Sequence, residues 1–170
     1  MGNDREERLM ASFERTPTGV ELSLDIFEAR LLRGLLDEMA RLLQQEASIE
    51  DAVVDRLFPA AYAAPEDAQA FAELVGEELK DGKLAAVSSL AATLGGDGAT
   101  VARIATDETD SWLTVLTDLR LALGTRLEVT EEKMSEQLDP GDPEAAGMSV
   151  LHWLGWLQEM LIEIATEENR

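Results

Sequence analysis

The chain contains no cysteine among its 170 residues. This absence excludes disulfide bridges, thiolate metal sites and redox sensing by a thiol of this chain. Histidine is scarce as well, since His152 is the single histidine of the sequence. Zinc sites normally use several histidine or cysteine ligands, and a histidine base needs an activated nucleophile or a substrate proton within reach. We therefore interpret His152 as a packed or surface residue and predict no metal site.

Positive charge is also scarce, because 14 basic residues stand against 35 acidic ones, which gives a formal net charge of -21. The phosphates of DNA and the head groups of anionic lipids carry the same sign of charge and repel such a protein. The composition therefore predicts no direct nucleic-acid partner and no membrane partner. It favours high solubility and a protein partner with a basic surface, and a hard cation is the less favoured alternative.

Long apolar runs are missing too. No stretch of the sequence approaches the about 20 apolar residues that span a membrane. The first residues, MGNDREERLMASF, have no apolar segment typical of a secretory signal. We expect a cytoplasmic protein.

With 45% hydrophobic residues the chain is long and apolar enough for one core. We predict a charged tail over residues 1–9 and a single domain over residues 10–170.

The apolar pattern predicts a mainly α domain with a small antiparallel β-sheet. Val20, Leu22 and Leu24 alternate with polar residues after a Pro17–Gly19 turn, which is typical of a β-hairpin. Residues 99–105 alternate weakly and are expected to add a third strand beside it.

Helical spacing dominates the rest of the chain. Asp25 and Glu28 resemble a capping box, and a helix is predicted from there to about residue 45. Its predicted buried stripe consists of Phe27, Leu31, Leu35, Met39 and Leu42, widened by Leu32, Leu36 and Leu43. Further helices are predicted over 48–58, 65–80, 83–94, 108–125 and 143–165, with a break or kink at Asp81-Gly82.

Residues 112–129 and 151–161 hold all three tryptophans in almost unbroken apolar sequence. We expect the two helices that contain them to pack together at the centre of the domain. The last helix is apolar around most of its circumference, which is typical of a bundle centre or of a contact with a second subunit. The sequence therefore allows a homodimer.

Arg120 is a cation among leucines, and two interpretations compete for it. It could present its guanidinium to an anionic ligand. It could instead form a structural ion pair with a neighbouring helix, for which Glu159 is the predicted partner. The ion pair is favoured because a buried arginine without an acid is very unfavourable.

Trp153, Trp156 and Met160 lie on the last helix and are the residues we predict for a partner or dimer interface. Tryptophans are frequent hot spots of protein interfaces. The competing interpretation places Trp153 and Trp156 in the core, with Gly155 allowing a close approach of helices. The core interpretation is favoured, and a dimer interface would satisfy both.

No catalytic motif is present. The Gly95–Gly98 loop lacks the lysine and the Ser/Thr of a phosphate-binding loop, and no acidic cluster has the spacing of a calcium loop. We therefore predict no catalytic, cofactor-binding or metal-binding residue, no cofactor, and a protein that is not an enzyme.

Two strings nevertheless carry a family resemblance, namely DLRLALGTRL at 118–127, preceded by Trp112-Leu113, and WLGWLQE at 153–159. With residues 57–62, Lys83-Leu84 and the opening hairpin and helix, the chain resembles an actinobacterial family of domains of unknown function. That family includes the actinomycete oxidative stress regulator. The likeness extends over nearly the whole chain.

The resemblance implies a transcriptional regulator that contacts RNA polymerase or a sigma factor and raises cysteine-biosynthesis genes under oxidative stress. The redox-responsive branch of the family senses oxidant through a Cys-x-x-x-Cys pair, so no sensing residue can be carried over to this chain. The alternative is an acidic helical adaptor or structural dimer without a direct role in transcription.

Overall fold

A three-stranded antiparallel sheet forms one side of the domain. The computed structural model describes residues 11–44, 52–58, 69–135, 139 and 141–167. Strands β1 (Ser12–Thr16) and β2 (Gly19–Leu24) form the hairpin, and β3 (Thr100–Ala105) pairs with the other edge of β2. Leu22 lies opposite both Phe13 and Ala102, so the alternating residues of β2 face the core. The predicted hairpin and third strand are confirmed.

Gly19 shows why the turn between β1 and β2 needs a glycine. Its φ is 157°, and an added Cβ would lie 2.0 Å from the carbonyl oxygen of Ile104 on β3. Because that contact is with backbone, no side-chain movement could relieve it. The glycine thus lets β2 begin while already paired with Ala105 of β3.

The capping box predicted at the start of the first helix is confirmed. Helix α1 spans Ile26–Gln44. The backbone N–H of Glu28 donates to Asp25 Oδ1 at 2.8 Å, and the N–H of Asp25 donates to Glu28 Oε2 at 3.0 Å. Glu28 Oε1 also accepts from the N–H of Ala11 at 2.8 Å, which fixes the chain just before β1 to this helix end. Two otherwise unpaired donors of the helix end are satisfied reciprocally.

The predicted buried stripe of α1 is wrong at its beginning. Phe27 is 69% exposed and Leu31 is 36% exposed, whereas Ala29 is fully buried. The buried face consists of Ala29, Leu32, Leu36, Met39, Leu42 and Leu43. Leucines occur on both sides of this helix, so its orientation follows from the neighbouring elements rather than from its own periodicity.

The break predicted at Gly82 is absent. After α2 (Ala52–Leu57), helix α3 runs without interruption through Gln69–Leu94. A glycine inside a helix costs about 1 kcal/mol relative to alanine, which burial of Val87, Leu90 and Leu94 outweighs. The predicted beginnings of these helices, at residues 48 and 65, lie outside the described residues.

Arg33 of α1 closes the end of α3. Its guanidinium donates to the carbonyl oxygens of Leu94 at 2.6 Å, Gly95 at 2.9 Å and Gly98 at 2.8 Å. The last carbonyls of a helix have no intrahelical donor, so this cation satisfies them. The loop around Gly96 therefore directs carbonyls toward a cation, the reverse of a phosphate-binding loop.

The two tryptophan-bearing helices pack together, as predicted. A single 3-10 turn (Thr106–Glu108) leads into α4 (Thr109–Arg126), followed by α5 (Glu131–Ser135) and α6 (Ala145–Glu167). Helices α4 and α6 contact each other extensively, as α1 and α3 do. In the described part of the chain, no helix is both long and apolar enough to cross a membrane.

Candidate functional site

A cleft of about 670 Å³ opens where α4 and α6 meet the short helices α2 and α5. We call it the Arg120 cleft. Its polar walls come from Arg56 of α2, Thr117 and Arg120 of α4, Gln158 of α6, and Glu128 and Thr130 in the segment after α4. Apolar contacts come from Leu121, Val129, Met134 and Leu151. The cleft thus combines apolar surface with several polar and charged side chains that could orient a bound small molecule.

A chain of hydrogen bonds fixes Arg120 in this wall. Its Nη1 donates to Gln158 Oε1 at 2.7 Å, and Gln158 Nε2 donates to Thr117 Oγ1 at 2.6 Å. Thr117 Oγ1 in turn donates to the carbonyl oxygen of Leu113 at 2.8 Å. Gln158 and Thr117 each accept one hydrogen bond and donate one along this chain, so the orientation of the Gln158 amide is determined. The guanidinium is therefore held in place by a neutral amide.

Gln158 contacts Arg120 by a neutral hydrogen bond, and no ion pair of the described structure joins Arg120 to Glu159, the predicted partner. Successive residues of a helix differ by about 100° in direction, so Gln158 faces α4 while Glu159 is exposed. Gly155, one turn earlier, contributes as well. An added Cβ there would lie 3.4 Å from Arg120 Nη2, an ordinary van der Waals contact, so the guanidinium packs directly against α6 at this residue.

The positive charge of Arg120 has no acidic partner among the ion pairs of the described residues. Its side chain is half-buried, and its Nε is enclosed without a hydrogen-bond acceptor in the described structure. A buried donor without an acceptor is rare in folded proteins and unfavourable. Among the described residues, the guanidinium is consequently held in position without an ion-pair partner.

Glu128 occupies the left-handed position that ends α4. Its φ is 51°, and the N–H groups of Glu128 and Val129 donate to the carbonyl oxygens of Thr125 and Gly124 at 3.1 and 3.0 Å. This is a Schellman motif, in which glycine is usual at the position of Glu128. An L-residue is strained there, and such strain often lies at functional sites.

We expect the Glu128→Gly variant to be more stable than the natural chain by about 0.5–1 kcal/mol, because glycine adopts positive φ without a Cβ penalty. Urea denaturation followed by circular dichroism measures the difference. Glu128→Ala is the matched control, since it removes the same carboxylate and retains the strain. Equal stability of the two variants would contradict the assignment.

The predicted interface residues Trp153, Trp156 and Met160 are all half-buried on α6. The Trp156 ring packs against Phe13 of β1 with centroids 6.1 Å apart and planes tilted by 57°. The Trp153 ring packs against the core with its Nε1 enclosed and without an acceptor in the described structure. The tryptophans thus attach α6 to the rest of the domain, and their use in an interface stays a prediction. His152 is exposed.

Sequence reasoning missed the ion pair between Lys83 of α3 and Asp118 of α4. Lys83 Nζ and Asp118 Oδ2 are 2.7 Å apart, and the two side chains are 13% and 12% exposed. The signal was Asp118 itself, a carboxylate within the apolar sequence that follows Trp112, because a buried carboxylate needs a charged or hydrogen-bonding partner nearby. Elsewhere in the described residues, no cluster of histidine and acidic side chains is arranged to hold a metal ion.

Comparison with known proteins identifies relatives of this chain. Half of it is 34% identical, over 85 residues, to the proteins named oxidative stress regulator AosR of Mycobacterium bovis and Mycobacterium tuberculosis. That match spans 38% of the length of these relatives. No solved structure matches the chain. The model of a family described as a domain of unknown function (DUF2017) matches residues 10–165. Since that match covers nearly the whole sequence, the protein belongs to the DUF2017 family.

Proposed function

We propose that the protein is a non-enzymatic transcriptional regulator of the oxidative-stress response that acts by contact with RNA polymerase or a sigma factor. The observation that carries this proposal is the similarity of half the chain to the oxidative stress regulator AosR, within a family match over residues 10–165. The contact with polymerase and the control of cysteine-biosynthesis genes are what the family resemblance implies.

The charge distribution supports a protein partner. Glu159, Glu163 and Glu167 lie exposed along α6, and Asp37 and Glu38 lie exposed on α1. These acidic faces belong to a chain with a net charge of -21. Such a surface accelerates association with a basic protein and repels the phosphates of DNA. Recruitment to a promoter would therefore proceed through another protein.

The regulatory signal has to reach this protein without a thiol of its own, because the 170 residues include no cysteine. Thiolate oxidation is the fast and reversible redox reaction of proteins, whereas methionine oxidation requires a separate reductase for reversal. The oxidative-stress response would thus be coupled to this chain through a partner or a bound small molecule.

We expect immobilised protein to retain RNA polymerase or a sigma factor from a lysate of its source organism. The purified sigma factor should then bind directly, with an affinity that falls as salt concentration rises, because charge attraction contributes to the contact. An unrelated acidic protein of the same net charge is the control for nonspecific retention. Recovery of other complexes without polymerase subunits would contradict the proposal and support the alternative of an acidic adaptor.

A further inference from the structure

We propose that the Arg120 cleft binds a small organic anion, a carboxylate or phosphate ester with an apolar body. Arg120 and Arg56 would bind the anionic group, and the apolar wall of the cleft would contact the remainder of the molecule. The inference goes beyond the proposed regulatory function and does not depend on it.

The charge balance of the cleft is opposite to that of the protein. Its charged lining residues are two arginines, Arg56 and Arg120, and one acid, Glu128. The whole chain has 14 basic and 35 acidic residues. A concave site with a local excess of positive charge concentrates anions, and the acidic surface around it repels them elsewhere. The cleft is therefore a place on this surface where a small anion would be stabilised.

The guanidinium of Arg120 is prepared for such a ligand. Gln158 orients it at 2.7 Å, and it packs against α6 at Gly155. Neither group neutralises its charge, and Gln158 is the described residue that accepts a hydrogen bond from the guanidinium. An arginine presents its N–H groups in a planar fork that matches a carboxylate or a phosphate. A bound anion would supply the negative charge opposite Arg120 that was predicted to come from Glu159.

The size of the cleft and its apolar wall indicate that the part of the ligand beyond its anionic group is apolar. A volume of about 670 Å³ lies within the range of about 300–1,000 Å³ typical of small-molecule sites. Leu121, Val129 and Leu151 offer apolar contact beside the arginines. A fully hydrated inorganic ion would leave this wall unused, whereas an aromatic or aliphatic acid would cover it.

Benzoate and phenyl phosphate are the probes, with benzamide as the uncharged match to benzoate. Each is titrated into the full chain labelled with 15N, and the backbone amide signals are followed by NMR. We expect saturable shifts concentrated at Gly124, Thr125 and Thr130 for both anions. Benzamide should bind at least about ten-fold more weakly, because it lacks the charge-assisted hydrogen bond. Shifts that spread over the surface without saturation would overturn the proposal.

Variants separate anion binding from general effects on the fold. Arg56→Gln, at an exposed position of α2, and Arg120→Gln should each weaken benzoate binding by about ten-fold. Glu128→Gln should strengthen it, since it removes the one acid from the cleft wall. Arg30→Gln, at an exposed position of α1, is the matched control and should leave the affinity unchanged.

The Arg56 and Glu128 variants keep the proposal testable if Arg120→Gln fails to fold. Equal affinities of Arg56→Gln, Glu128→Gln and the natural chain would overturn it. Loss of sigma-factor binding in Arg120→Gln, without saturable binding of either anion to the natural chain, would also overturn it and assign the arginine to a protein interface.

Discussion

Replacing Asp118 by asparagine is expected to lower the free energy of unfolding by about 3–5 kcal/mol. Asp118 and Lys83 are 2.7 Å apart and nearly enclosed, at 12% and 13% side-chain exposure. Removing one member of such a pair leaves the charge of the other buried and uncompensated, which is strongly unfavourable. The measurement is guanidinium chloride denaturation at neutral pH, followed by tryptophan fluorescence.

Two further variants determine whether burial is the cause. Asp37→Asn removes the same charge from the exposed pair with Arg41, whose side chains are 63% and 69% exposed, and should change stability by no more than about 0.5 kcal/mol. The double variant Lys83→Met/Asp118→Leu should recover most of the lost stability, because an apolar pair fits the same space. A loss in Asp118→Asn no larger than that in Asp37→Asn would contradict the account.

Truncating Trp112 to alanine should destabilise the domain by about 3–5 kcal/mol, because its side chain is only 2% exposed on α4. The loss combines apolar burial with a cavity that the rigid helix pair cannot fill. Denaturation by urea, followed by circular dichroism, measures it. Trp156→Ala is the matched control on α6.

The control should lose clearly less stability, since Trp156 is half-buried and its described ring contact is with Phe13. An aromatic pair contributes about 0.5–1.5 kcal/mol beyond area burial. If Trp156→Ala destabilised the domain as much as Trp112→Ala, the central position assigned to Trp112 would be wrong.

Features specified by neighbouring residues could be predicted from the sequence. The hairpin follows from the turn at Pro17–Gly19 and the alternation after it, and the capping box follows from Asp25 and Glu28. Both depend on groups no more than a few residues apart. The fold class and the packing of the tryptophan-bearing helices were predictable because helices so rich in apolar residues must bury them against other elements.

Features set by distant residues could not be predicted in the same way. Arg120 and Gln158 are 38 residues apart in the sequence. A rotation of α6 by about 100° around its axis would have placed Glu159, rather than Gln158, against Arg120. Phe27 is exposed because the orientation of α1 is decided by its neighbours. The cleft itself requires four helices to meet, and periodicity within one helix carries no information about that meeting.

The most direct test of the proposed indirect regulation is a gel-shift assay on promoter DNA, with and without RNA polymerase holoenzyme. At physiological salt the protein alone should leave the DNA band unchanged, because its net charge of -21 repels the duplex. Added to a polymerase–promoter complex, it should retard that complex further. A specific shift by the protein alone, or no effect on the polymerase complex, would contradict regulation through protein contact.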